Sequence, residues 1–400
     1  MSIRGLYSNA FVGANIAWMV AGLITPSACR PSRDTQAHTR QGTPLVAQVS
    51  GEVSETNIYV ATGPNALAPA AAKARPLVYV PNSKSATVSV IDPTTYRQVR
   101  TLAVGRVPQH VVPSYDLTRL WILNNASNSV TPIDPMTGLA GHPVHVDDPY
   151  NMYYTPDGQY AVVVAERQQR LDFRDPRTLR LVHAERVPCR GLDHVDFTLD
   201  GRYLIGTCEF SGRLVKVDLL KQSLVGYLDL TSVGPHGMSM PQDIRSSPDG
   251  RVFYVADMTQ DGVHVIDPVA FRQVGFIPTG IGTHGITVGR GGRFFYVSNR
   301  GWHTIAGRPH GPGSVSVLDP TRNSIVATWP VPGGGSPDMG TVSADGTELW
   351  LTGRYDREVY VFDTATGTLT HRIPVGREPH GLCVWPQPGR LSLGHTGNMR

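Results

Sequence analysis

Histidine, acidic, amide and arginine side chains recur at two kinds of place, each beside an apolar run. One set reads Gln109-His110, Tyr150-Asn151, Asp193-His194, Gln242-Asp243, His284-Gly285, Asp338-Met339 and His380-Gly381. The other reads Asn82, Asn124-Asn125, Glu166-Arg167, Glu209, Asp257, Asn299-Arg300 and Arg354, with His395 as an outlying member. Imidazole suits zinc, copper, iron or nickel, whereas carboxylates and amides suit calcium or magnesium. A divalent metal on His110, His194, His284 and His380 is therefore one chemistry open to these residues. Neither His-x-x-x-His nor Cys-x-x-Cys occurs, so only the fold can assemble such a site. Glu166 and Glu209 interrupt apolar strand ends and would act as catalytic bases if buried among other acids. The alternative for them is ion pairing with Arg167, Arg190 or Arg213. Arg300 and Arg354 suit a bidentate clamp on a carboxylate or phosphate, or salt bridges to Asp257 and Asp356.

The elements that must position these groups are short strands. From Leu77 onward a Val-x-Val-Ile-Asp pattern appears seven times, as at Val88–Pro93, Thr131–Pro135, Leu171–Pro176, Val215–Asp218, Val263–Pro268, Val315–Pro320 and Val359–Asp363. The closing Asp suits a turn in which its carboxylate accepts backbone N–H groups. Pro156-Asp157-Gly158, Leu199-Asp200-Gly201, Pro248-Asp249-Gly250 and Ala344-Asp345-Gly346 mark hairpins, because Gly takes the positive φ such turns need. Regular sets of four short strands predict an all-β propeller of about seven four-stranded blades around a central channel. Innermost strands are expected to start near Pro108, Pro149, Leu192, Pro241, Thr283, Pro337 and Pro379, the last joining the first three strands to close the ring. Asn57–Thr62 and Leu391–His395 also read as strands, which leaves eight blades open.

Tyr79-Val80-Pro81-Asn82, Tyr254-Val255-Ala256-Asp257 and Tyr296-Val297-Ser298-Asn299, each followed by a Val-x-Val-Ile/Leu-Asp strand, resemble the YVTN / YncE-like propeller family over about residues 57–400. The resemblance implies the fold closely and the activity poorly, since such propellers include binding proteins, surface-layer-like proteins, lactonase-like enzymes and haem-binding nitrite-reductase-like members. It also implies that His284 and His380, each followed by Gly, form a structural corner with the ring bonded to a backbone carbonyl. In a propeller, the loop entering the first strand and the loop leaving the second open on one face. Asn82, Asn125, Asn151, Asp193, Asp243, Asp257, Asn299, Arg300, Asp338 and Arg354 are accordingly expected to line a ligand-binding mouth together with the histidines and glutamates.

Cys189 and Cys208 fall on adjacent strands of one blade at that mouth, placed for a disulfide or, alternatively, for a Cys/His metal site. Cys383 reads as a buried apolar residue. The Trp302–Gly313 insertion, with His303, Arg308 and His310, leaves a second strand and reads as a lid, a partner-contact loop or plain surface. Residues 1–29 carry Arg4, an apolar run from Ala10 to Ile24 and small residues before Cys29, which predicts a signal peptide, with lipidation of Cys29 or an uncleaved anchor as variants. Residues 30–54 read as a tether and 55–400 as the propeller. Charged residues are only 17% and the formal charge is +4, without the clustered basic face of a nucleic-acid binder. The sequence thus predicts an exported, extracellular or surface-attached monomer with no nucleic-acid partner. It would hold a small polar or anionic ligand, a peptide or protein, or a metal at the channel mouth. The alternative is a metal-assisted hydrolase, lyase or redox enzyme at the same place.

Overall fold

The computed structural model describes residues 57–234 and 236–400. The expected signal peptide, Cys29 and the expected tether lie outside the described residues. Seven antiparallel blades form the fold. Blade 1 is composite: Cys383–Trp385 is its innermost strand and pairs with Leu77–Asn82, followed outward by Thr87–Asp92 and Arg97–Ala103. Blades 2 to 7 are continuous in sequence, and their innermost strands are Pro108–Pro113, Pro149–Tyr154, Leu192–Phe197, Pro241–Ser246, Thr283–Val288 and Pro337–Val342. The expected strand starts are all met, the last one as a bridge between Asn82 and Pro379 ahead of Cys383.

Burial explains why the repeat reads as it does. Second and third strands such as Ala161–Ala165 and Ser314–Asp319 are buried on both faces between neighbouring blades, so they carry near-continuous apolar runs. Outermost strands such as Arg97–Ala103 face solvent and carry charge. In the repeated Asp turn, Asp92 Oδ1 accepts the Thr94 N–H at 2.8 Å and Asp363 Oδ1 the Ala365 N–H at 3.0 Å. In the Asp-Gly hairpins, Gly158 and Gly250 each sit at φ +69°.

Neither of the two segments that left an eighth blade open forms one. Asn57–Thr62 forms a turn with a 3-10 segment, Val60–Thr62, and Leu391–His395 forms two isolated bridges, Gly394 to Tyr153 and Ser392 to Met399. The reason is that Cys383–Trp385 has already paired with blade 1, leaving no lateral edge for another sheet. Both segments instead pack at the face opposite the expected mouth. Tyr59 donates its hydroxyl to the Ser246 carbonyl at 2.8 Å, and the Arg400 guanidinium lies 4.5 Å over the Tyr59 ring. Among the described residues no helix is long and apolar enough to cross a membrane.

Cys189 and Cys208 are joined by a disulfide with a Cα–Cα distance of 5.8 Å, which removes the Cys/His metal alternative for this pair. Cys383 is buried, its thiol pushed up to about 12 by burial. The disulfide spans 19 residues of blade 4, so the paired substitution Cys189→Ser, Cys208→Ser is expected to lower stability by about 2–4 kcal/mol. Urea denaturation reads this directly, and an unchanged midpoint would show that the bond contributes nothing.

Candidate functional site

The side chains that face the channel are set by a repeated break in the ladder. In five blades the innermost strand skips two residues against its neighbour: between Pro108 and Val111, Leu192 and Val195, Pro241 and Ile244, Thr283 and Ile286, and Pro337 and Gly340. The skipped pairs are Gln109-His110, Asp193-His194, Gln242-Asp243, His284-Gly285 and Asp338-Met339. Blade 3 has a one-residue version at Tyr150. A bulge frees a residue from the pleat and re-aims its side chain, and here it gathers polar groups at the axis.

Three imidazoles form the centre. His110, His194 and His395 are buried, with ring centroids 4.8–5.5 Å apart, and each offers a nitrogen within 4.8 Å of the others. Asn151 Nδ2 lies 3.1 Å from His194 Nδ1 and 2.9 Å from His395 Nδ1. An amide N–H can only donate, so both Nδ1 atoms accept and their Nε2 atoms point away from Asn151. Both nitrogens of His110 are buried and lack a hydrogen-bond partner, while His194 Nε2 lies 3.2 Å from Asp193 Oδ1 and His395 Nε2 lies 3.8 Å from Asp243 Oδ1, neither in hydrogen-bond geometry. Burial first, then the neighbouring cationic or imidazole groups, holds all three rings well below the ordinary histidine range. They are neutral at pH 7, the form in which imidazole binds metals. Gly381 is required by this packing, since a Cβ there would fall 2.0 Å from His110 Nδ1.

The other two histidines of the expected metal set point elsewhere. His380 Nδ1 is 2.6 Å from Asp338 Oδ2 and His284 Nδ1 is 2.8 Å from Asp338 Oδ1. Arg300 donates Nε to the same carboxylate at 2.9 Å. Burial raises Asp338, but Arg300, then His380 and His284, hold it well below the usual carboxylate range. Burial keeps His284 down at about 3 and His380 at about 4, so the pair is Arg300 with Asp338 and the two rings are neutral. His284 and His380 thus join blades 6, 7 and 1 through a carboxylate, not through the backbone carbonyl expected of a structural corner.

Above the imidazoles lies an acidic rim. Burial raises Glu166 to about 7, helped by the charges of Glu209 and Asp148. Burial raises Glu209 to about 7 as well, against a hydrogen bond from Gln242 Nε2 at 3.0 Å. Asp193, beside His194, is also raised, by burial and then by Glu209. None of the arginines proposed as ion-pair partners takes these acids. Arg167 binds Asp148 at 2.6 Å, Arg190 bonds the Phe210 carbonyl, and Arg213 binds Asp229 at 2.9 Å.

Several expected ligand residues are bonded inside the blades. Asn82 donates to Thr87 and Ser89, and Asn299 to Ser314 and Ser316, in each case bracing the second strand against the third. Asp257 accepts from Met240 N and Thr259 N and lies 3.0 Å from His264 Nε2. Asn125 donates to Asp148. Asp243 bridges blades, accepting Ile286 N at 2.9 Å and Arg245 Nη1 at 2.7 Å. Of the expected pair, Arg354 keeps an unpartnered Nε beside the mouth, with its Nη2 3.8 Å from Glu378. Residues that the sequence did not single out are His395 as a central group, Tyr153, which accepts Val195 N at 3.1 Å, and the buried Arg245. His395 appeared there only as an outlying polar position; nothing local signals that its segment turns into the channel.

A family model described as "YNCE-like beta-propeller" matches residues 46–388. No curated protein matches the chain. Among solved structures, Kuenenia stuttgartiensis hydrazine synthase is 18% identical over 68% of this chain and 87% of its own, with a TM-score of 0.55. A functionally unknown protein from Desulfotomaculum acetoxidans DSM 771 is 14% identical over 78% of this chain and 100% of its own, with a TM-score of 0.63. Dihydro-heme d1 dehydrogenase NirN in complex with DHE is 16% identical over 80% of this chain and 77% of its own, with a TM-score of 0.57. At these identities the likeness is one of fold.

The raised glutamates make stability depend on pH. Between the ordinary 4.5 and about 7, the unfolded chain has lost protons that folded Glu166 and Glu209 retain. Folding stability therefore falls as pH rises through that window. Glu209→Gln is expected to leave stability at pH 4.5 nearly unchanged and to raise it by about 1–3 kcal/mol at pH 8. Chemical denaturation at both pH values checks this; equal effects at the two would show that Glu209 is not raised.

Proposed function

The chain belongs to the YNCE-like β-propeller family, and we propose that it is an exported binding propeller that holds one divalent transition metal on His110, His194 and His395. The observation that carries this is the set of three buried imidazoles that bring one nitrogen each within 4.8 Å of the others, in a basin that keeps the rings neutral and leaves both nitrogens of His110 without a hydrogen-bond partner. Leaving such groups buried and unpaired costs about 1–3 kcal/mol each, a cost that a metal would offset. Three nitrogen donors fit zinc, copper, iron or nickel, and three protein ligands leave a coordination position for a small ligand.

Ligation through Nε2 places the remaining ring proton on Nδ1. Asn151 would then turn its amide so that its oxygen accepts from His194 and His395, the second-sphere role usually filled by a carbonyl or carboxylate. The open position would face the mouth, where Arg354 offers a guanidinium to an anionic group. Export is supported by the signal-like residues 1–29 and by the Cys189–Cys208 disulfide, a bond that persists in oxidising compartments. Attachment through Cys29 belongs to the same proposal.

A second reading, an enzyme using the same basin, is favoured by Glu166 and Glu209. Carboxyl groups near 7 exchange protons readily at neutral pH. In this reading one of them would take or give a proton on a ligand bound above the imidazoles.

For the test, the full chain is stripped with chelator and titrated with cobalt or zinc. At about 100-fold above its Kd, a bound metal is expected to stabilise the fold by about 2.7 kcal/mol. His395→Ala and Gly381→Ala should abolish that part of the shift, and Asn151→Ala should weaken binding by about 10–100-fold. Identical metal-induced shifts in wild type and His395→Ala would overturn the assignment.

A further inference from the structure

A second cluster of metal-binding side chains lies on the mouth face, well apart in character from the buried basin. His236, Asp261 and His303 bring one ligand atom each within 4.8 Å of the others, and all three are accessible. Their origins matter. His236 is in the connection between Ser223–Asp229 of blade 4 and Pro241–Ser246 of blade 5. Asp261 is in the turn between Phe253–Asp257 and Gly262–Asp267 of blade 5. His303 is in the insertion between Phe295–Asn299 and Ser314–Asp319 of blade 6.

The geometry is preset. His303 Nε2 is 2.9 Å from both oxygens of Asp261, and Asp261 is itself fixed by the Gly282 N–H at 2.8 Å. Asp261 sits at φ +55°, which turns its side chain toward the insertion. The His236 ring stacks on His303 with centroids 3.9 Å apart and planes 19° from parallel, so the two edges lie side by side. On its other flank the insertion is held by Tyr355, whose hydroxyl donates to the Ile305 carbonyl at 3.0 Å, and by Asp356, which accepts His310 N–H at 2.5 Å. On the flank carrying His303, the Gly301 N–H donates to the Ile281 carbonyl at 2.8 Å, and the His303 side chain meets Asp261 and His236.

We propose that His236, Asp261 and His303 form a surface transition-metal site that staples the 302–313 insertion to blade 5 and to the blade 4–5 connection. Two imidazoles and one carboxylate make a donor set for zinc, nickel, copper or ferrous iron rather than for calcium or magnesium. A metal here replaces the His303 ring proton facing Asp261 and links three segments that no strand ladder joins. The insertion is thereby fixed as a wall of the mouth. This site is independent of the basin, since it shares no residue with it.

The experiment uses the full chain carrying His110→Ala and His395→Ala, so that only the surface cluster remains, and zinc alone as the probe. Calorimetry is expected to show one equivalent of zinc bound, and zinc should slow amide hydrogen exchange across residues 302–313. His236→Ala in this background should weaken zinc binding at least ~10-fold and abolish the slowing, while exchange without zinc stays as before, because that ring contributes stacking alone. His303→Ala should lose zinc binding equally. Unchanged zinc affinity in His236→Ala, or zinc binding without any change in exchange at 302–313, would overturn the proposal. Should the basin variants lose no metal relative to wild type while His236→Ala does, the basin reading fails and the surface site stands.

Discussion

Each of the seven innermost strands has one edge that no further strand covers, and its backbone N–H groups must find acceptors at the axis. Neighbouring blades supply them one by one. Ser246 N–H donates to Asp196 Oδ2 at 2.9 Å, Ile286 N–H to Asp243 Oδ2 at 2.9 Å, Val195 N–H to the Tyr153 hydroxyl at 3.1 Å, and Val384 N–H to Thr341 Oγ1 at 2.8 Å. Val111 N–H uses the Gly381 carbonyl at 3.1 Å. The polar lining of the channel is therefore in large part a requirement of the fold. It also supplies a criterion for function: Asp196 and Asp243 are polar, central and already bonded, whereas both nitrogens of His110 and the Nε2 atoms of His194 and His395 are polar, central and without a hydrogen bond.

Burial then sorts the charges. Arg300 and Asp338 form the ionised pair of the basin, with His284 and His380 neutral against it. On the other side, Glu166, Glu209 and Asp193 have no comparable cation in contact, so burial and mutual repulsion keep protons on them. A ligand entering from the mouth meets an arginine on one side and proton-retaining acids on the other before it reaches the imidazoles. Raised to about 7, Glu166 and Glu209 carry less negative charge at neutral pH than ordinary carboxylates and so oppose an anionic group less.

The blades, the turn carboxylates, the strand starts and the cysteine pair were legible in the sequence because each depends on local chemistry repeated many times. Asp92 and Asp363 bond the same turn for the same reason, and a reader of one copy can read all. The site was legible only in outline. Asn82 and Asn299 look identical in sequence to mouth residues, but they fold back onto hydroxyls of the next strand, at Ser89 and Ser316. A bulge decides whether a side chain faces the axis, and bulges leave no composition signal. His395 was the hardest case, since its position depends on a contact with Asn151, 244 residues earlier.

That contact ties the basin to ring closure. Cys383–Trp385 completes blade 1, and the chain beyond it turns under the channel, where Leu393 O accepts Tyr154 N at 2.9 Å and His395 N donates to Met152 O at 2.8 Å. The same short stretch thus seals the ring, covers the free edge of blade 3 and delivers the third imidazole. Before closure, His110 and His194 lack both their partner and the floor that excludes water from them. The three imidazoles meet in the closed ring alone, so a metal bound there would favour the closed state over an open one. Coupling of this kind makes the chemical centre depend on closure of the ring.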